Sequence, residues 1–496
     1  MCNTHISIIA YIMEVSIIVA YCKKSRGIGK DNGLPWHLKG DMEHFKKKTS
    51  NCVPQPMNSV IMGRNTWESI PEKFRPLSRR NNIVISNSGK IDAEKEGCIL
   101  ATSLTEAIQK AQNLNSHNTF VIGGAQLYNE AIHHPKVTSI ITTEIYQLYD
   151  CDTFFPDIKK ECEEDPYVMT NVSRFQRDGN TYYRFIEYIR KSKLDTDARG
   201  KIPWENTVEK QALDSMRQIV EHGQERIDRT GVGTRSLFGM QWKYDLTDTF
   251  PIWTSKRIFF RAIFEELRLY MSGKTDNGIL QKERIHIWDG NTTREFLDKR
   301  GLQHYKEGDM GETYGFNMRH FGAEYQGCDH DYTGQGYDQL QNVLDLIKND
   351  PASRRMLITL WNPATTHKAS LPACMFQYQF YVNEKDKRLN LQVYLRSSDY
   401  FLANNWNVCT GALLVHLICN LKDIDLTPGE LTVVTGDTHI YLSHLEAVAE
   451  NLKREPRPFP ALHICEQKDK LTDFVYDDIK LVDYCPQPNI KAEMAV

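Results

Sequence analysis

The apolar positions of this chain fall into short runs separated by polar turns marked with glycine. Val15 to Ala20 is an apolar run and predicts a fully buried strand. A glycine-rich loop, Gly27-Ile28-Gly29-Lys30-Asp31-Asn32-Gly33, follows and ends in Leu34-Pro35-Trp36. Gly40 to Lys48 predicts a helix in which Asp41 and Phe45, four apart, share an inward face. Two strand–turn–helix units come next: Ser59-Val60-Ile61-Met62 runs into Gly63-Arg64-Asn65-Thr66, and Phe120-Val121-Ile122 into Gly123-Gly124-Ala125. Later, Gln211 to His222 predicts a helix, and Pro372 makes a turn before an aromatic-rich strand running from Cys374 to Val382. Leu391 to Arg396 predicts the next strand, and Asn404-Asn405-Trp406-Asn407 opens a helix. The apolar stretch from Ile6 to Tyr21 is interrupted by Glu14 and is too short to span a membrane.

Some of these positions carry residues able to do chemistry. A cysteine at a strand start is either a nucleophile, if nearby cations stabilise its thiolate, or a buried structural thiol. Cations are available in Arg354-Arg355 and Arg396. Asp41 beside Phe45 is either a partner of the helix dipole or a ligand-binding acid. The glycines that close the two strand–turn–helix units are either simple turns or phosphate cradles, and Arg64 suits an extra phosphate. Neither unit is a GxGxxG fingerprint. Arg229, in a loop with Gly231 and Gly233, could clamp a phosphate. Glu265 and Glu266 lie in an apolar helix, where each needs a partner or a task. Lys46 to Lys48 reads as a solvated helix end.

The composition narrows the class. At 496 residues, with 41% hydrophobic and 25% charged positions, this is a globular chain of more than one domain. The net charge of −3 and the absence of a basic–aromatic stripe argue against a nucleic-acid partner. Twelve cysteines without a CxxC argue for reduced thiols, the cytoplasm and no metal site. The polar stretch 191–204 reads as a short linker between a domain at 15–190 and one at 205–496, with 1–14 as an N-terminal extension.

The first half resembles dihydrofolate reductase. The matching pieces are Ile18-Val19-Ala20, Gly27-Ile28-Gly29-Lys30, Leu34-Pro35-Trp36, Met62-Gly63-Arg64, Thr66-Trp67-Glu68-Ser69-Ile70-Pro71, Ile122-Gly123-Gly124 and Asp152-Thr153-Phe154-Phe155-Pro156, in the family's order. The resemblance implies an α/β domain with a mixed, mostly parallel sheet flanked by helices. It implies that Asp41 holds the pteridine and helps deliver a proton, with Thr143 supporting it. Ala20, Met42, Phe45, Ile70 and Leu77 would wall the folate pocket, and Arg80 would grip the folate carboxylate. Ile28, Gly63, Arg64, Asn65, Thr66, Ser86, Gly123, Gly124 and Tyr128 would hold NADPH.

The second half, from about Trp204 to Val496, resembles thymidylate synthase. Pro-x-Cys at 372–374, Arg-Ser-x-Asp at 396–399, Gly-Asp-x-His-x-Tyr at 436–441 and Arg354-Arg355 carry the likeness. It implies an α+β domain that pairs with a second copy. Cys374 would attack C6 of dUMP, with Arg396 favouring its thiolate and touching the phosphate. Arg229 and Ser397 would complete the phosphate grip, and Arg354 and Arg355 would reach in from the other subunit of a homodimer. Asn407 would read the uracil edge, and His439 and Tyr441 the ribose hydroxyl. Glu266 would order a water, Tyr314 would remove the C5 proton, and Asp399, Trp288 and Asn291 would meet the folate, 5,10-methylenetetrahydrofolate. Met375, Ser398 and Ala403-Asn404-Asn405-Trp406 depart from the family's usual His, Cys and Gly-Leu-Pro-Phe.

One chain with both halves resembles the bifunctional fusion of protozoa and plants. The dihydrofolate released by one half would be the substrate of the other. Three other readings compete: a fusion with one silent half acting as scaffold or regulator, a cysteine hydrolase that would need a histidine near Cys374, and an RNA-binding module. All the matched catalytic positions are present, which favours two working enzymes.

Overall fold

The computed structural model describes residues 14–50, 57–87, 91–92, 96–194, 202–227 and 231–493. The chain divides into two compact units between Trp204 and Glu205. No helix among the described residues is long and apolar enough to cross a membrane.

Eleven strands form in the first unit: β1 (Glu14–Cys22), β2 (Gly27–Gly29), β3 (Asn58–Gly63), β4 (Arg80–Ile85), β5 (Ile99–Ala101), β6 (Asn118–Gly123), β7 (Val137–Ile145), β8 (Thr153–Phe154), β9 (Tyr167–Val172), β10 (Gln176–Asp178) and β11 (Thr181–Arg190). Nine of them make one sheet in the order β10-β11-β7-β1-β6-β3-β4-β5, with β9 also on β11. The pairs from β7 through β5 are parallel, and β11 adds antiparallel partners. The sheet is thus mixed and mostly parallel, as the resemblance implies. β1 is apolar on both faces because both are covered. Val15, Ile17 and Val19 pack with Leu104, Ile108 and Leu127 on one side, and Ile18 packs with Val60, Met62 and Trp67 on the other.

Parallel pairing brings several turns together. Met62 lies opposite Gly123, and Gly63 opposite Ile85. The carboxyl ends of β3, β4 and β6 therefore meet, which is where open α/β sheets bind ligands. β2 pairs with β8, and Asp31 donates its N–H to Asp152 Oδ2 at 2.8 Å, which clips the glycine-rich loop to residues 152–154.

The second unit is built on β12 (Gln224–Arg226), β13 (Thr234–Asp245), β14 (Leu357–Thr359), β15 (Met375–Asn383), β16 (Arg388–Asp399) and β17 (Thr427–Tyr441), in the order β12-β13-β17-β16-β15-β14. Only β16 and β17 are parallel within this sheet. The helix Asn404–Cys419 lies on them and is buried almost all round. Gly411 allows the close approach: a Cβ there would lie 3.1 Å from Val393 Cγ2 and 3.2 Å from Leu431 Cδ1. The helix Thr207–His222 is capped by Asn206, whose side chain accepts the Glu209 N–H. Glu209, fully buried, accepts the Thr254 and Ser255 amides at 2.8 Å each and ties that helix to the segment before Phe260–Met271.

Candidate active sites

In the first unit, Asp41 stands in the first turn of the helix Lys39–Thr49 and is buried. Gly40, just before it, faces Tyr183 so closely that a Cβ would lie 2.2 Å from the Tyr183 hydroxyl oxygen. The Thr143 hydroxyl donates to Asp41 Oδ1 at 2.7 Å. Burial pushes the Asp41 carboxyl above its ordinary range, and the Thr143 hydrogen bond offsets part of that rise. Phe45, Ile70 and Leu77 are brought together at the edge of one apolar cluster, while Met42 on the same helix is 45% exposed. Arg80 lies 5.8 Å over the Phe45 ring and donates from Nη1 to Thr49 Oγ1 at 2.8 Å. Ala20 is half-buried at the end of β1, beside Thr143 in register.

The glycine turns form a cradle. Gly123 has a φ of +146°, which favours glycine. A Cβ there would lie 3.0 Å from Thr66 Oγ1, so the glycine lets that hydroxyl approach the backbone. The Gly123–Gly124 peptide bond is cis. Arg64 lies 3.6 Å from Glu68, a half-exposed pair that a phosphate can displace. Asn65 is exposed, Ser86 follows β4, and Ile28 is half-buried in β2. Side-chain-free backbone, a hydroxyl and a guanidinium together at the strand ends fit a phosphate-rich cofactor. Tyr128, also expected there, is buried, and its hydroxyl donates to the Ile18 carbonyl at 2.9 Å, inside the fold.

In the second unit, Cys374 immediately precedes β15 and is half-buried. Arg396 lies alongside it at the end of β16. Its Nε donates to the Ala373 carbonyl at 3.0 Å and its Nη2 to the Pro372 carbonyl at 2.9 Å, leaving Nη2 at 3.8 Å from Cys374 Sγ. Trp361 supports the guanidinium from 5.2 Å. The Cys374 N–H donates to the Tyr314 hydroxyl oxygen at 2.8 Å. A thiol held by its own backbone beside a fixed cation is suited to nucleophilic attack.

Tyr314 connects the cysteine to Glu266. It is buried, stacks on Tyr270 at 4.7 Å and meets the Trp288 ring edge-on at 6.1 Å. Tyr270 and Trp288 both donate to Glu266 Oε1 at 2.8 Å. Trp406 donates to Glu266 Oε2 at 2.7 Å. Burial raises the Glu266 carboxyl above its ordinary range, and the three donors counter that. Glu265 finds its partner instead in Arg268, at 2.7 Å. Sequence reasoning missed Tyr270, although its position four residues after Glu266 places it on the same helix face. Trp406 was visible only as a departure from the family pattern.

Several of the remaining residues are held by neighbours of their own. His439 is held by Asp437, whose Oδ1 lies 2.9 Å from Nδ1, and Tyr441 meets its ring edge-on at 5.2 Å. Arg226 at the end of β12 donates to the other Asp437 oxygen at 3.0 Å. Asn407 and Asn291 are buried, and Ser397 is half-exposed. Asp399 Oδ1 accepts the Phe401 and Leu402 amides at 3.1 Å, so that oxygen shapes the turn after β16. Arg354 and Arg355 are exposed and make no ion pair among the described residues. Arg229 lies outside the described residues. Lys256, to which the sequence analysis gave no role, is buried, and burial lowers its ammonium to about 8. It donates to the Phe401 carbonyl.

The dihydrofolate reductase family profile matches residues 14–190, and the thymidylate synthase profile matches residues 210–496. A bifunctional dihydrofolate reductase-thymidylate synthase of Zea mays is 38% identical over 510 residues, covering 97% of this chain and 96% of the relative. The protein of that name in Leishmania major is 37% identical over 510 residues, covering 97% and 95%. The chain belongs to the bifunctional dihydrofolate reductase–thymidylate synthase family. The first unit is the reductase half and the second the synthase half.

Proposed function

We propose that the synthase unit opens its reaction with Cys374 and that the reductase unit works through Asp41. The chain is a two-activity folate enzyme. It converts dUMP to dTMP with 5,10-methylenetetrahydrofolate and reduces the dihydrofolate formed to tetrahydrofolate with NADPH. The observation that carries the residue assignment is the Arg396 guanidinium 3.8 Å from Cys374 Sγ, on a backbone anchored to Tyr314.

In the synthase unit, Cys374 Sγ adds to C6 of the uracil while Arg396 stabilises the thiolate and meets the phosphate. Arg229, Arg354, Arg355 and Ser397 complete the phosphate grip. Asn407 reads the uracil edge, and its buried amide, both donor and acceptor, discriminates against cytosine. His439, oriented by Asp437, and Tyr441 hold the ribose hydroxyl. Glu266 relays protons through an ordered water, and Tyr314 takes the C5 proton. Trp288, Asn291 and Asp399 face the folate, which supplies the one-carbon unit and a hydride. In the reductase unit, Asp41 holds the pterin and delivers a proton to it between walls made by Ala20, Met42, Phe45, Ile70 and Leu77. Arg80 takes the folate carboxylate. The cradle of Gly63, Arg64, Asn65, Thr66, Ser86, Gly123 and Gly124, with Ile28 and Tyr128 nearby, holds NADPH, which supplies the hydride when bound.

The assembly we assign is a homodimer through the synthase units. Its support is the outer face of the six-stranded sheet, opposite the core side chains Leu391, Val393 and Leu395. There Tyr381 is 62% and Leu357 36% exposed beside Gln379, Gln392 and Asn390, a mixed surface that a second copy would cover. Arg354 and Arg355 precede β14 at this edge and make no ion pair among the described residues. Mixing Arg354→Ala and Cys374→Ala proteins should then restore synthase activity, because one shared site regains an intact pair. We assign residues 15–190 to the reductase, 205–496 to the synthase and 191–204 to their connection, with 1–14 as an extension. A reducing cytoplasm suits the thiols: none of the ten cysteines among the described residues is in a disulfide, and Cys465 and Cys485 are exposed.

The test is a single mixture of dUMP, 5,10-methylenetetrahydrofolate and NADPH without added dihydrofolate. Near-equal dTMP and NADP+ are expected. Cys374→Ala should stop both products, and Asp41→Asn should suppress only NADP+. dTMP without NADP+ in the parent protein would show a silent reductase.

A further inference from the structure

Glu266 is hydrogen-bonded by three donors among the described residues, two of them indoles that cannot accept. Tyr270 and Trp288 occupy Oε1, and Trp406 occupies Oε2. An ionised carboxylate offers about four lone-pair directions, so three donors leave one, on Oε2. An indole N–H can donate but cannot accept, so it opposes a proton on the lone pair it meets. Without Trp406, both directions on Oε2 would be open.

The indole is held firmly. Its neighbour Asn405 is buried, donates to the Pro251 carbonyl at 2.9 Å and accepts the Trp253 N–H at 2.9 Å. The Thr410 hydroxyl donates to the Trp406 carbonyl at 3.0 Å. Asn404 reaches Ser398 Oγ at 3.2 Å. Residues 403–406 are the stretch where this chain departs from Gly-Leu-Pro-Phe, and a phenylalanine ring has no N–H to offer. The departures thus work together: two asparagines anchor the start of the helix and the tryptophan reaches the carboxylate.

We infer that Trp406 is a positioning residue of the synthase, fixing in which direction on Oε2 Glu266 carries its proton. The inference rests on the reading of Glu266 as the proton relay. Indole donation favours the ionised carboxylate, so Trp406 also sets the pH at which Glu266 changes state. The side chain acts through Glu266, not on the substrate.

The experiment uses the full chain and measures tritium release from C5-labelled dUMP as a function of pH, with reductase activity of the same protein as the concentration reference. Glu266→Gln tests the relay reading by itself and should lower kcat by at least about 100-fold. If it does not, that reading falls first. Given that loss, Trp406→Phe should move the limb of the kcat profile assigned to Glu266 about one pH unit upward, without changing the KM for dUMP. Trp406→Tyr, which keeps a donor, should recover at least half of the shift. In the Glu266→Gln background, Trp406→Phe should cost little more. An unmoved limb, or an equal cost in both backgrounds, overturns the inference. So does a synthase unit that fails to fold with phenylalanine at 406, since Trp406 would then be a packing residue.

Discussion

Replacing Thr143 with valine tests the electrostatics of the reductase site most directly. Asp41 is 8% exposed, and the Thr143 hydroxyl, at 2.7 Å, is the only side chain hydrogen-bonded to it among the described residues. Valine keeps the branched shape and removes the donor. A hydrogen bond to a charged group is worth about 1.5–3 kcal/mol. A hydroxyl can also turn to accept from the protonated acid, so the difference between the two states lies near the lower figure, about 1.5 kcal/mol. That equals about one pH unit. The sign follows from the donor: losing it disfavours the ionised form, so Asp41 stays protonated to higher pH. Proton delivery needs the acid form, and the rate falls as pH rises through its pKa. The alkaline limb of dihydrofolate reduction in Thr143→Val should therefore lie about one unit above that of the parent. The assay is steady-state NADPH oxidation with saturating dihydrofolate across the neutral and alkaline range. An alkaline limb that stays in place, with kcat lowered equally at every pH, would refute the reasoning and make Thr143 a packing residue. A limb moved downward would refute it as well.

Other outcomes follow from the same geometry. Asp41→Asn should lower dihydrofolate reduction by at least about 100-fold. It should also raise the melting temperature of the reductase unit at neutral pH. The raised folded-state pKa means that stability is lost as pH rises through it, and asparagine removes that loss. Tyr314→Phe removes the oxygen that holds the Cys374 N–H and should lower synthase kcat by about 10–100-fold with a smaller effect on the KM for dUMP, read by dTMP formation. Lys256→Met tests a buried charge. The parent ammonium titrates at about 8 when folded. The unfolded chain holds that proton to about 10.4, so the parent gains stability between those values as pH rises. Methionine should abolish that gain in a denaturation series.

The sequence by itself determined the two families and the order of the halves, and it pointed to the candidate reacting groups. These are written in local patterns. A proline turn before a cysteine, a glycine at a strand end and an acid one turn before an aromatic each leave a mark within a few residues. β1 was legible as a buried strand because both of its faces are apolar. The tertiary structure alone decided what those groups touch. Glu266 acquires Trp288 and Trp406 from segments 22 and 140 residues away. Asp41 finds Thr143 across 102 residues, and Cys374 meets Tyr314 across 60. No periodicity encodes such pairings, because they arise where strands and helices pack, and packing depends on the whole core at once. The same holds for the committed groups: Tyr128 and one oxygen of Asp399 looked ready for ligands, yet the fold had already given each a backbone partner. Burial then raises the carboxyls of Asp41 and Glu266 above their ordinary range, a property that neither residue type nor spacing contains.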